Sequence, residues 1–123
     1  MSKRVRAAWF ILGIAALLTI FSHAKVHSFT TQTCDALLQI RSQVAQENYR
    51  KAAQTLDSLL YEYDQHQHFL EFFIKRETVL SISVNLHGLT AYLQPNSIAD
   101  LYSEIDKAYT QLRMMEHLFT AIV

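Results

Sequence analysis

The sequence predicts an all-α protein, an N-terminal transmembrane helix followed by an antiparallel bundle of about four helices. Three observations predict it. Residues 7–24 carry no charged side chain, with His23 taken as neutral, directly after Lys3, Arg4 and Arg6. From Lys25 to Gln94 there is no proline and a single glycine, Gly88. Beyond Lys25 the apolar residues recur in steps of three and four, the spacing that gives a helix one apolar face. No stretch of similar length alternates with period two, as a half-buried strand would.

As a helix, residues 7–24 rise about 27 Å, close to the hydrocarbon thickness of a bilayer. Trp9 falls at the inner boundary, where amphipathic rings are favoured. Three basic residues precede the run and only Lys25 follows closely, which places the N-terminus in the cytoplasm. The expected organisation is a cytoplasmic basic tail (1–6), an anchor in the lipid bilayer (7–24) and an extracytoplasmic helical domain (25–123), in a single-pass protein of the cell membrane. A second reading treats the run as a signal peptide. Ser22 and Ala24 are small residues at the −3 and −1 positions of a potential cleavage point, and cutting after Ala24 would yield a secreted soluble protein.

The remaining stripes divide the exported part. Leu37, Ile40 and Val44 mark a helix over about 30–46. Tyr49, Ala52, Leu56, Leu59 and Tyr63 mark one over about 48–65, with the stripe continuing to Leu70 and Phe73. Val79, Ile82, Leu86, Leu89 and Leu93 mark a third over about 67–93. Ile98, Leu101, Ile105, Ala108, Leu112, Met115, Phe119 and Ile122 mark a fourth over about 97–122. Asn48 can cap the second helix. Pro95 forces Gln94 out of the α region, and Ser97 with Asp100 three residues on resembles a capping box. Residues 64–68 read as a turn or as helix running through. Short links favour antiparallel neighbours, and about 100 residues can bury a modest core without disulfides.

Charge excludes one class of partner. The whole chain is neutral, but with Lys3, Arg4 and Arg6 set aside, residues 25–123 hold eight basic and eleven acidic side chains. A domain of net charge −3 with no basic stripe is not built to neutralise phosphates, so no nucleic acid is expected. The lone cysteine, Cys34, reads as a small buried hydrophobe, with an intermolecular disulfide as the alternative.

The segment Asp64-Gln65-His66-Gln67-His68-Phe69-Leu70-Glu71 is the place to look for a metal. On a helix His66 and His68 lie about 200° apart and cannot share an ion. Asp64, His68 and Glu71 share a face, yet neither a His pair at i,i+4 nor a Glu-x-x-His pair occurs. The economical reading is a polar helix boundary with solvent-facing histidines. The rival is a small metal-dependent factor or enzyme using Asp64, His66, His68 and Glu71. No glycine-rich phosphate loop and no GxSxG elbow is present. Glu77 and Glu116, beside Arg76 and His117, read as ion-paired or solvated helix residues. No catalytic residue, no cofactor and no small-molecule substrate are therefore expected. Phe69, Phe72 and Phe73 cover more than one helix face, so they serve either the core or an exposed patch for a partner or the membrane surface.

Two stretches, Asn48 to Leu93 and the ending "LRMMEHLFTAIV", resemble an uncharacterised family of short, N-terminally membrane-anchored helical proteins of Gram-positive bacteria, a domain of unknown function. An aromatic-x-x-Ala helix, a bulky aromatic near Tyr61–Tyr63 and a closing Glu-Leu pattern carry the likeness. Glu77, Glu116, Leu118 and Ile122 match residue by residue. Lys75-Arg76 replaces the family's His before Glu77, and Ala121 stands where Asn is usual. The resemblance implies the architecture and no activity. The expected function is thus a non-enzymatic, membrane-anchored, extracytoplasmic interaction or accessory module of a membrane or envelope complex, with a protein partner.

Overall fold

One helix, α1 (Lys3–Ala45), begins almost at the N-terminus and runs without a break for 43 residues. The computed structural model describes residues 2–122, with the side chains of Phe73 and of residues 120–122, Ile122 of the fourth stripe among them, outside the described residues. The expected anchor over 7–24 and helix over 30–46 are one element. The polar stretch from Thr19 to Thr33 stays helical, and three of its hydroxyls turn back onto the helix. Thr19 Oγ1 donates to the Ala15 carbonyl at 2.9 Å, Ser22 Oγ to Leu18 at 2.8 Å and Thr33 Oγ1 to Phe29 at 2.9 Å. Such i−4 bonds satisfy the hydroxyl while the backbone ladder continues.

The two ends of α1 have different surroundings. Trp9, Phe10, Ile11 and Leu12 are all exposed. Consecutive positions step about 100° around the axis, so the apolar surface there is bare on every side. From Ser22 onward one face is buried, through Val26, Phe29, Thr33, Leu37, Ile40 and Val44.

The α1–α2 link is a cap built twice over. Asn48 N–H donates to the Gln43 carbonyl at 2.9 Å and Glu47 N–H to Val44 at 2.9 Å, the bond pair of a Schellman motif. Glu47 takes the left-handed conformation that glycine usually fills, with φ 61°; this costs about 1–2 kcal/mol for a residue with a Cβ. Asn48 then caps α2 (Tyr49–Phe73), its side chain accepting from Lys51 N–H at 3.3 Å.

α2 runs through residues 64–68 and ends at Phe73. The polar junction expected there lies instead at Ile74 and Lys75, both with extended ψ. Accordingly α3 (Arg76–Tyr92) starts nine residues later than position 67. Gln94 is extended before Pro95, as a residue preceding proline must be, and Pro95–Ser97 make one 3-10 turn into α4 (Ile98–Ile122).

α1 packs on α2 and α4, and α3 packs on α2 and α4, which closes a four-helix bundle. The four apolar stripes meet in its centre. Leu56, Tyr63, Leu70, Ile82, Leu86, Leu101, Ile105, Leu112 and Met115 are fully enclosed. Tyr63 OH donates to the Val79 carbonyl at 2.6 Å, so a buried phenol ties α2 to α3. Burial also holds the phenol neutral by raising its pKa. Thr55 Oγ1 donates to the buried Gln43 amide oxygen at 2.9 Å, tying α2 to α1.

Candidate functional site

Helical geometry decides what the Asp64–Glu71 segment can do. Asp64 turns toward α3, where its Oδ1 lies 3.1 Å from His87 Nε2. His66 turns toward α1, its ring 4.9 Å from that of Phe29, and Nδ1 donates to the Glu62 carbonyl at 2.8 Å. The His68 side chain is 93% exposed and lies 3.9 Å from Glu71. Glu71 also accepts from the Gln67 amide at 3.3 Å. The four residues thus point in three directions. Among the described residues no group of three or more His, Cys, Asp or Glu side chains is placed to hold a metal ion.

Glu77 is exposed and pairs with Lys75 at 3.6 Å. Glu116 is half-buried, where it meets Arg113 at 3.4 Å and His27 across the α1–α4 contact. The His27–Glu116 pair joins residues far apart in sequence, and no local pattern announces it. Cys34 is fully buried. Burial raises its thiol pKa to about 11, which leaves it protonated and a poor nucleophile near neutrality. Its place in the core is that of a small hydrophobe, closed to a disulfide with another chain.

The aromatic trio separates. Phe69 is half-buried against the core beneath the Lys25 ammonium, which lies 4.4 Å from the ring centroid. Phe72 projects outward and is 85% exposed. The side chain of Phe73 is outside the described residues. This end of α2, the Ile74–Lys75 turn and the end of α4 gather around the point where α1 passes from its bare apolar segment into the core, with His23 4.9 Å from Phe119.

An apolar helix, exposed all round and long enough to cross a bilayer, passing directly into a four-helix bundle defines the class: a helical domain borne on an N-terminal segment of the kind found in membrane anchors and signal sequences. The chain belongs to the family described as Domain of unknown function (DUF4363), which matches residues 20–120. The matched region begins upstream of Ala24, close to Ser22, where the buried face of α1 begins. Comparison with curated proteins and with solved structures returns no match.

Proposed function

We propose that this chain is a non-enzymatic, single-pass membrane protein whose bundle lies outside the cytoplasm and serves as an interaction or accessory module of a membrane or envelope complex. The observation that carries the reading is the continuity of α1 from an all-round apolar segment into the bundle core. A bare apolar helix of that length is stable in lipid and a liability in water. Lys3, Arg4 and Arg6 ahead of it supply the positive-inside signal. Retention is favoured over cleavage, because a cut after Ala24 would fall inside a helix and remove Ser22 and His23, which pack on the bundle. With the ligating side chains dispersed, what remains for the domain to offer is surface.

Membrane-extracted protein should carry the full mass of 14.2 kDa and stay in the pellet through an alkaline carbonate wash. A soluble product lacking 24 residues would contradict retention. Crosslinking in intact membranes should give a defined heterologous adduct, and a chain that stays monomeric under the same conditions would remove the accessory role.

A further inference from the structure

We infer that the foot of the bundle also enters the membrane: the last turn of α2 and the α2–α3 turn rest in the lipid interface, with Phe72 as an apolar wedge. This rests on the anchoring of residues 7–24 proposed above. Helix register carries it. α1 and α2 run antiparallel, with Phe29 against His66 at 4.9 Å and Lys25 over Phe69 at 4.4 Å. At about 1.5 Å per residue, the next turn of α2 brings Phe72 roughly level with Ser22, inside the apolar run that ends at Ala24. α4 descends to the same depth. His23 meets Phe119 at 4.9 Å, so the neighbouring Leu118 comes roughly level with Ala24. α1 is unbroken helix through this region, so no linker lets the bundle stand away from the surface.

The side chains at that depth suit the lipid boundary. Phe72 is the most exposed large apolar side chain among the described residues, and Phe21 and Leu118 are exposed at about the same level of the bundle. An exposed phenyl ring is unfavourable in water and favourable in the headgroup–acyl region, where apolar faces of interfacial segments bury. Lys25, Lys75 and Arg76 are exposed around these rings, and their long stems can follow apolar surface while the charges reach headgroups. Glu77, paired with Lys75 at 3.6 Å, and Glu71 beside Phe72 offset two of these three charges, so the local net charge is small. The occupant is therefore the bilayer interface itself, gained by apolar burial and without a requirement for anionic lipid.

The test uses the full chain in dioleoylphosphatidylcholine vesicles, with a nitroxide spin label at one position at a time: Phe72→Cys, Leu12→Cys or Tyr61→Cys. All three native side chains are exposed, and the wild-type chain, whose cysteine is buried, is the unlabelled control. Tyr61 lies about three turns further from the foot on α2. Collisions with oxygen should outweigh those with a water-soluble nickel chelate at positions 12 and 72, and the order should reverse at 61. A label at 72 that behaves like the one at 61, while 12 stays lipid-like, overturns the inference and leaves the anchor standing. A label at 72 shielded from both reagents overturns it in favour of a protein contact. A water-exposed label at 12 overturns the anchoring and this inference with it.

Discussion

Leu112→Ala tests whether the α4 stripe is the seam of a folded monomer. Leu112 is fully buried, with Ala108 and Met115 buried one turn to either side. The substitution removes three carbons, and at about 0.8 kcal/mol per buried methylene the transfer loss alone is about 2.4 kcal/mol. The cavity left in a four-sided core cannot collapse completely, which brings the expected cost to about 3–5 kcal/mol. Arg113→Ala, one position on, is the control. Its guanidinium meets Glu116 at 3.4 Å from a side chain 40% exposed, a pair of the kind that contributes about 0–1 kcal/mol. Urea unfolding of the full chain in a mild detergent, followed by circular dichroism, separates the two. With a slope of about 1–3 kcal/mol per molar, Leu112→Ala should lower the midpoint by roughly 1–5 M and Arg113→Ala by a few tenths. Equal midpoints would mean that the stripe is not enclosed within one chain and that α4 packs on a partner.

Thr30→Val should raise the melting temperature by a few degrees. Thr30 Oγ1 is buried with no hydrogen-bond partner among the described residues, and an unsatisfied hydroxyl costs about 1–3 kcal/mol. A lower melting temperature would show that the hydroxyl is bonded. Cys34 should make stability fall at high pH. The unfolded thiol ionises from about pH 9 while the folded one holds its proton to about 11, so its contribution is complete below pH 9 and is lost as pH rises to 11. Over that window the wild type should lose about 2–3 kcal/mol more than Cys34→Ala; parallel profiles would show the thiol to be solvated. Replacing His68, whose side chain is 93% exposed, by Gln should leave stability within about 0.5 kcal/mol of wild type. Zinc that stabilised the wild type and not this variant would mean that the side chains converge on the ion.

The buried stripes were readable because each helix has one dry face. Val79, Ile82, Leu86 and Leu89 are buried in register, as are Leu101, Ile105, Ala108, Leu112, Met115 and Phe119. Asn48 caps α2 as its position suggests. The two misread boundaries share a cause, polar residues at core-facing positions. His66 and Gln67 interrupt the stripe between Tyr63 and Leu70, yet both are half-buried, and His66 is accommodated by the Phe29 ring and the Glu62 carbonyl. Between the expected anchor and the expected first helix, Ser22 and Thr33 face the core with their hydroxyls satisfied within α1, so the helix continues. The foot of the bundle was legible only in Phe69, Phe72 and Phe73. Phe21, Ile74 and Leu118 reach about the same level through the register of α1 with α2 and α4, which periodicity within one helix does not encode.

The account turns on which side of the membrane the bundle occupies. Alkaline phosphatase fused after Val123 folds only once exported, and a green fluorescent protein at the same position fluoresces only if it stays in the cytoplasm. On the proposed topology, in which Lys3, Arg4 and Arg6 keep the N-terminus inside and α1 crosses the membrane, the phosphatase fusion should be active and the fluorescent fusion dark. A bright fluorescent fusion with inactive phosphatase would place the bundle in the cytoplasm and contradict the account.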